Sequence, residues 1–164
     1  MPNEHGWQVH DAASSELELQ ELCFALVRML KPDLVVETGC YMGAMTLWLG
    51  LAVSARGRLV SCDTDRDRVV EARIRTRHLP VEVHHCRGAD LPELRQADFV
   101  FCDSDYRCRA EEIELAKPGA VILVHDTRIS YDSEIPPLEG LVRELGGITF
   151  DSHRGWGLLR KGKA

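Results

Sequence analysis

The architecture of this chain can be inferred from residues 34–43, which read Leu34-Val35-Val36-Glu37-Thr38-Gly39-Cys40-Tyr41-Met42-Gly43. The apolar run that begins at Leu34 is typical of a strand buried on both faces of a parallel sheet. Gly39 permits a backbone turn that a Cβ would obstruct, and it lets a ligand approach closely. Gly43 allows tight packing at the start of a helix. The stretch therefore predicts a strand, a glycine-containing turn and a helix whose N-terminus favours an anion.

Helix and strand signals alternate along the rest of the chain. Ser15 and Glu18 stand in the positions of a capping box, and Leu19 to Leu30 then carry apolar residues at helical spacing. Further helices are predicted over 43–54, in the charged segment after residue 62, over 111–116 and from 136 to 145. Strands are predicted at 34–37, 58–62, 81–84, 97–102, 120–124, 148–150 and 156–160. Five strand-helix units and two closing strands predict an α/β fold, with a doubly wound parallel sheet.

Length and composition favour one globular domain. The chain has 164 residues, of which 45% are hydrophobic and 28% charged, and its net charge is −6. No apolar run approaches the roughly 20 residues that span a bilayer, and residues 1–11 lack the apolar core of a signal peptide. We therefore expect a cytoplasmic protein with no membrane partner, and its negative charge disfavours nucleic acid. Residues 1–14 are predicted to form an N-terminal arm or lid, and residues 15–164 a single domain.

The ends of the second and third predicted strands suit a nucleoside ligand. In doubly wound sheets, ligands bind outside the carboxyl ends of the strands, where the strand order reverses. Asp63 follows the second strand about two dozen residues after Gly39, where a carboxylate can accept hydrogen bonds from both ribose hydroxyls. Residues 87–90 follow the third strand, where a polar group can reach the exocyclic amine of an adenine. The alternatives are that Asp63 caps a helix and that residues 87–90 form a simple turn.

Charged side chains also follow the fourth and fifth predicted strands. Asp103 and Asp105 come after one strand, and His125 and Asp126 come after the other. Because these strand ends are neighbours in this topology, the four side chains are predicted to converge. Carboxylates suit Mg²⁺, an added imidazole favours a transition metal, and His125 by itself suits a general base. The alternative is that these residues cap helices and accept backbone hydrogen bonds.

Residues 15–160 resemble a known enzyme family. Residues 35–39 with Gly43 look like motif I of class I S-adenosylmethionine-dependent methyltransferases. The pairing of Asp103-Ser104-Asp105-Tyr106 with residues 117–127 is similar to methyltransferase family 24, and to macrocin-type O-methyltransferases and cephalosporin-hydroxylase-like proteins. The resemblance implies a Rossmann-like methyltransferase domain with a seven-stranded, mostly parallel sheet whose last strand is antiparallel. It also implies O-methylation of a small molecule, with S-adenosyl-L-methionine as the cofactor.

The resemblance implies cofactor-binding roles for individual residues. The methionine part of the cofactor would be lined by the turn after the first strand, namely Glu37, Thr38, Gly39, Cys40 and Gly43. Asp63 and Thr64 would hold the ribose. The adenine would be flanked by Ala89 and Asp90, and the methionine end would be faced by Asp103.

The resemblance implies catalytic and metal-binding roles as well. A divalent metal, either Mg²⁺ or a transition metal, would be held by Asp103 and Asp126. The catalytic residues would be Asp103, Asp126 and His125, and His125 would take the acceptor proton where no metal is bound. Two departures from the family pattern count against a metal. Tyr106 stands where the family usually has His after its D-x-D, and His125 stands where related metal enzymes have an acidic residue.

The sequence features also bear on two other classes of function. A catalytically inert cofactor-binding or scaffolding domain would show the same glycine turn and the same acidic strand ends. A nicotinamide-dependent oxidoreductase is disfavoured, because the third glycine of the dinucleotide-binding pattern is missing. The partner is expected to be a small-molecule acceptor, with O-methylation favoured over N-methylation, and a homodimer is one way to complete the substrate pocket of so short a chain.

Overall fold

A computed structural model describes residues 6–9, 13–53, 55–129 and 135–162 of the chain. The strands are β1 (Leu34–Thr38), β2 (Arg58–Asp63), β3 (Val81–His85), β4 (Phe99–Cys102), β5 (Val121–His125), β6 (Ile148–Phe150) and β7 (Trp156–Arg160). The helices are α1 (Leu17–Leu30), α2 (Ala44–Ala52), α3 (Arg66–Thr76), α4 (Tyr106–Leu115) and α5 (Leu138–Glu144). Two short 3-10 helices, Gly88–Asp90 and Pro92–Gln96, lie between β3 and β4.

The seven strands form one sheet in the order β3-β2-β1-β4-β5-β7-β6. Strands β1 to β5 pair in parallel, whereas β7 is antiparallel to both β5 and β6. The predicted doubly wound, mostly parallel seven-stranded sheet with an antiparallel last strand is therefore confirmed. The strand order reverses between β1 and β4, and this is the point at which such sheets bind ligands.

The core lies on both faces of the sheet, because successive strand residues point to opposite sides. Val35 packs on one face with Leu59 and Phe99, in the apolar cluster that contains the buried residues of α1 and α2. Val36 packs on the other face with Val60, in the cluster that contains the buried residues of α4 and α5. Covered faces explain why the parallel strands read as continuous apolar runs.

Two local predictions were wrong. The helix predicted over 111–116 begins five residues earlier, at Tyr106, because the Asp105 side chain caps it by accepting a hydrogen bond from the Arg107 N–H at 3.0 Å. The predicted capping box of Ser15 and Glu18 is absent, since α1 has Glu16 as its N-cap and no side-chain cap bond. Because of these two differences, Arg109 on α4 and Glu16 before α1 reach the carboxyl edge of the sheet.

Part of the predicted N-terminal arm, residues 1–5 and 10–12, lies outside the described residues. In the remainder, the Leu17 N–H donates to the Gln8 carbonyl at 2.7 Å, and the Gln8 N–H donates to the Glu18 carboxylate. The arm is thus fixed to the first turn of α1. Among the described helices, none combines the length and the apolar character needed to cross a membrane.

Candidate active site

A cavity of about 330 Å³ opens at the reversal point of the sheet. Its wall includes Gly39 after β1, Asp63 at the end of β2 and Asp103 after β4. Gly88, after β3, and Glu112, on α4, also border it. The volume lies at the lower end of the range for small-molecule sites. Three strand ends that the sequence singled out therefore share one cavity.

Gly39 and Gly43 allow backbone to approach backbone. Gly39 has φ 81°, and a Cβ there would overlap the carbonyl oxygen of Asp103. Gly43 is the N-cap of α2, also with φ 81°, and its Cβ would lie 2.8 Å from the Cα atom of Ala72. Gly39 consequently borders the cavity without filling it, whereas Gly43 lets α2 pack against α3.

Asp63 presents a carboxylate that the backbone holds in place. Its Oδ2 accepts the Tyr41 N–H and its Oδ1 accepts the Asp65 N–H, each at 2.9 Å. Because a carboxylate oxygen has two lone pairs, both oxygens keep the capacity to accept a further hydroxyl. Thr64 borders the same cavity. The end of β2 therefore offers a fixed acceptor pair that is suited to a diol.

Glu37 lies behind the cavity wall and is fully buried. Its Oε2 accepts hydrogen bonds from Thr46 Oγ1 at 2.6 Å and from Ser61 Oγ at 2.5 Å. Its Oε1 has no hydrogen-bond partner among the residues that the structure describes. Burial raises the pKa of Glu37 to about 7, although the Ser61 and Thr46 hydrogen bonds oppose the shift. Glu37 thus links β1 to β2 and α2 from beneath the cavity.

Glu112 is a buried carboxylate that the sequence analysis did not single out. Its Oε2 accepts hydrogen bonds from Thr38 Oγ1 at 2.7 Å and from Cys102 Sγ at 3.1 Å. Its Oε1 has no partner within the described part of the chain, although buried polar atoms are nearly always paired. Thr38, which was predicted to touch the cofactor, therefore holds Glu112, and Glu112 brings an unpaired acceptor to the border of the cavity.

The remaining residues that were predicted to bind the cofactor lie at the margins of the main cavity. Cys40 is buried and borders a small adjoining cavity together with Gly39. After β3, Ala89 is buried and Asp90 is exposed, and the main cavity is bordered there by Gly88 and by Arg87 before it. The end of the third strand does reach the cavity, through residues one or two positions before the pair that the resemblance implied.

Asp103, His125 and Asp126 come together at the ends of β4 and β5. One ligand atom from each residue lies within 4.8 Å of the others. Asp126 has φ 54°, a left-handed conformation that is uncommon for a residue other than glycine. Asp105, the fourth residue predicted to converge, borders the cavity but caps α4 and pairs with Arg107.

His125 is enclosed by carboxylates and is fully buried. Its Nδ1 lies 3.1 Å from Asp103 Oδ1, and its Nε2 lies 2.8 Å from Glu16 Oε2 and 3.4 Å from Asp126 Oδ1. Burial opposes the charged form of the imidazole, but these carboxylates, led by Asp103, raise the pKa of His125 to about 9. An imidazolium donates from both ring nitrogens and has no lone pair left. His125 is therefore built to hold the carboxylates rather than to accept a proton.

Two arginines complete this cluster, and neither was predicted to pair with its carboxylates. Arg109 Nη2 lies 3.2 Å from Asp103 Oδ1 and 3.5 Å from Asp126 Oδ2. Arg154 contacts Asp126 from another side, with Nη2 at 2.8 Å from Oδ2 and Nε at 2.6 Å from Oδ1. The two carboxylates are thus already paired with guanidinium cations. Three of the four carboxylate oxygens, Asp103 Oδ1 and both oxygens of Asp126, face a guanidinium nitrogen. A divalent metal needs several such oxygens free to coordinate, so this donor set does not fit one.

A second cavity of about 250 Å³ adjoins the first on the side of α4. The two cavities share Ser104, Asp105, Arg109 and Asp126, and Tyr106 and Ile129 border only the second. Residues 130–134, which follow Ile129 in the chain, lie outside the described residues. The site therefore has two compartments that meet at the cluster of carboxylates and arginines.

One of the missed residues had a readable signal. Asp105 is a preferred N-cap residue, and a helix that starts after it places Arg109 in its first turn. Side chains in a helix tilt toward the N-terminus, so Arg109 reaches back to the strand ends. Glu16 and Arg154 carried no comparable signal, because each meets its partner across 109 and 28 residues of sequence, respectively.

Residues 36–127 match the profile of a protein family described as a methyltransferase domain, family 24. No curated protein is a significant match to the sequence. The chain is similar in structure to the O-methyltransferase TomG from Streptomyces achromogenes, involved in tomaymycin synthesis and solved with S-adenosylmethionine. The two are 24% identical, with a TM-score of 0.72 over 92% of this chain and 82% of that chain.

Two further solved structures share the fold. Cofactor-bound Rv0187 from MTB is 20% identical, with a TM-score of 0.77 over 94% of this chain and 84% of that chain. An O-methyltransferase from Bacillus cereus in complex with S-adenosylhomocysteine is 20% identical, with a TM-score of 0.73 over 92% of this chain and 84% of that chain. At these identities, the likeness shows the same architecture.

Proposed function

The chain belongs to methyltransferase family 24, and on this basis we propose that it is an S-adenosylmethionine-dependent enzyme that methylates a hydroxyl group of a small molecule. The observation that carries the proposal is the single cavity that Gly39, Asp63 and Asp103 share at the reversal point of the sheet. When bound, the cofactor supplies a methyl group that is activated because it is bonded to a positively charged sulfonium sulfur. The protein must then bind the cofactor and the acceptor, align them and help to remove the acceptor proton.

The residues around the cavity fit the cofactor. Gly39 has no side chain, so space remains beside Asp103. A Cβ at this position would collide with the Asp103 carbonyl oxygen. Asp63 supplies the acceptor pair for the two ribose hydroxyls, and Thr64 lies beside it. Asp103 supplies negative charge for the methionine ammonium, because no described residue hydrogen-bonds to its Oδ2. Cys40, Gly43 and the buried Glu37 support this wall from behind.

The adenine end would lie toward β3 and α4. Gly88 and Cys86 border the cavity there, and Ala89 and Asp90 follow directly. Glu112 Oε1 is the acceptor without a partner on this side, and the exocyclic amine of adenine is a donor. We therefore assign recognition of the adenine amine to Glu112, with residues 87–90 forming the edge of the pocket.

The acceptor would occupy the second cavity, next to Asp126. Asp126 is held by Arg154 and Arg109 and is placed to orient the acceptor hydroxyl. Asp126 borders both cavities, so its carboxylate is the group assigned to receive the acceptor proton. His125 donates toward Asp103 and keeps it in place, which gives it a positioning role.

The N-terminal arm would cover the site. Ala13 borders the main cavity, and the Ser14 carbonyl accepts a hydrogen bond from Arg154 Nη1 at 3.1 Å. The arm is thus tied to the same arginine that holds Asp126. We propose that residues 1–14 act as a lid on the single domain formed by residues 15–164. The homodimer and the cytoplasmic location stay predictions.

The proposal is tested by methyl transfer from labelled S-adenosylmethionine to a panel of hydroxylated acceptors: sugars, phenols and hydroxy acids. Transfer that requires Asp126, and that stops in Asp126→Asn while S-adenosylhomocysteine still binds, supports the enzyme. An inert binding domain is the alternative. It would bind S-adenosylhomocysteine equally well in both proteins and would transfer label to no acceptor, including amines.

A further inference from the structure

The guanidinium of Arg109 lies between the two carboxylates that related enzymes would offer to a metal. Its Nη2 is 3.2 Å from Asp103 Oδ1 and 3.5 Å from Asp126 Oδ2, so a single nitrogen faces both residues. A metal bridging these oxygens would need distances near 2.1 Å to each. It would therefore have to occupy the space that the Arg109 nitrogen already fills.

Arg109 is not free to move aside. Its Nε donates to the Ser104 carbonyl and its Nη1 donates to the His125 carbonyl, each at 2.6 Å. The side chain is only 6% exposed. Moving it would take this donor away from the Ser104 and His125 carbonyl oxygens, and unpaired buried polar groups are costly. The Arg109 side chain thus fastens the ends of β4 and β5 to the first turn of α4.

The charges around the cluster are balanced without a metal. Asp103 and Asp126 contribute two negative charges, and Arg109 and Arg154 contribute two positive ones. His125 and Glu16 form a further pair beside them. A divalent cation at this place would meet fixed positive charge from Arg109 on one side and from Arg154 on the other. Electrostatics and hydrogen bonding therefore exclude it together.

We propose that Arg109, supported by Arg154, takes the place of a divalent metal in this chain, and that its guanidinium positions Asp103 and Asp126 for a metal-independent reaction. The part that concerns methyl transfer rests on the proposed function. The part that concerns metal exclusion does not, because it follows from the contacts of Arg109 alone. Arg109 is a positioning residue in this account, since it acts through the two carboxylates.

The test is Mn²⁺ binding, measured by electron paramagnetic resonance on the full chain without any cofactor. We expect the parent protein to bind no Mn²⁺ at millimolar concentration. Arg109→Ala removes the cation, so it should gain one Mn²⁺ site, and the double variant with Asp126→Asn should lose that site again. Arg109→Lys keeps a positive charge and should stay free of Mn²⁺. Arg58→Ala, an exposed arginine on β2, is the matched control and should also stay free.

Two results would overturn the proposal. One is stoichiometric Mn²⁺ binding by the parent protein that Asp126→Asn abolishes, a result that needs no arginine variant to fold. The other is an Arg109→Ala protein that keeps the circular dichroism and melting behaviour of a folded chain and still binds no Mn²⁺. S-adenosylhomocysteine binding, measured separately, reports on the proposed function, so the two ideas can fail independently.

Discussion

His125 Nε2 lies 2.8 Å from Glu16 Oε2, so the residue before the first helix is joined to the end of the fifth strand across 109 positions of sequence. Both side chains are buried, with exposures of 0% and 2%. This pair fixes the N-terminal segment over the carboxyl edge of the sheet. It also holds the imidazole in the orientation in which its other nitrogen meets Asp103.

Removing Glu16 should destabilise the fold. Glu16→Ala leaves a buried imidazolium without its nearest carboxylate, and breaking one partner of a buried pair costs about 3 kcal/mol. Because the pKa of His125 is raised from 6.5 to about 9, the pair stabilises the fold below pH 6.5, and its contribution is lost as the pH rises through about 9. Urea denaturation at pH 7 and pH 10 should therefore show a loss that shrinks at the higher pH.

The control for this experiment is Glu21→Ala, an exposed glutamate on the same helix. It should change the free energy of unfolding by less than about 0.5 kcal/mol. If Glu16→Ala behaves like Glu21→Ala at pH 7, the ion pair with His125 does not form in solution.

The stability of the protein should depend on the charge of Glu37. Its pKa is raised from 4.5 to about 7, so the folded state holds a proton that the unfolded state releases between these values. Stability from this group is present below pH 4.5 and is lost as the pH rises toward 7, by about 3 kcal/mol in all. Glu37→Gln cannot ionise and should lack this loss. The free energy of unfolding of Glu37→Gln minus that of the parent should therefore rise between pH 4 and pH 8, and a constant difference would contradict the buried carboxyl.

Gly39 should not tolerate a side chain. Gly39→Ala places a Cβ against the Asp103 carbonyl and adopts a φ of 81° that alanine disfavours. We expect a loss of more than about 1 kcal/mol in stability. We also expect weaker binding of S-adenosylhomocysteine by calorimetry, since the cavity wall must shift.

Gly140 supplies the matched control for that substitution. It lies inside α5, where a Cβ meets nothing within 4 Å. Gly140→Ala should stabilise the protein by about 0.5–1 kcal/mol through helix propensity, without any effect on ligand binding. Equal effects of Gly39→Ala and Gly140→Ala on the affinity for S-adenosylhomocysteine would show that the Gly39 turn does not border the ligand.

Glu112 should contribute to recognition of the adenine ring. Glu112→Gln keeps an oxygen for the Thr38 hydroxyl and replaces the unpaired Oε1 by an amide NH₂, which repels the exocyclic amine of adenine. Loss of a charge-assisted hydrogen bond of about 1.5 kcal/mol corresponds to roughly tenfold weaker binding of S-adenosylhomocysteine. Glu114→Gln, an exposed glutamate on the same helix that does not border the main cavity, is the control. Unchanged affinity in Glu112→Gln would place the adenine elsewhere.

The fold was readable from the sequence because it depends on local patterns. The apolar runs at Leu34, Leu59 and Ile122 mark strands buried on both faces, and their bounds were predicted to within about two residues. Gly39 and Asp63 were found for the same reason, since a strand end followed by glycine or aspartate is a local signal. These residues do border one cavity.

The charge network was not readable, because it depends on pairs that are distant in sequence. Asp103, His125 and Asp126 could be expected to meet, but nothing local showed that Arg154 and Glu16 would neutralise them. Arg109 was missed because the start of α4 was placed five residues late. The predictions that His125 accepts a proton and that a metal binds here assumed carboxylates without other partners. In the structure, arginine and histidine side chains already pair with these carboxylates.

We propose that S-adenosylmethionine binds at the edge formed by Gly39, Asp63 and Asp103, without a metal. The most direct measurement is calorimetric titration with S-adenosylhomocysteine, in EDTA and in Mg²⁺, for the parent protein and for Asp63→Asn. We expect one site per chain, the same affinity with and without metal, and at least tenfold weaker binding in Asp63→Asn. No binding heat at millimolar ligand, or binding that requires the metal, would contradict the account.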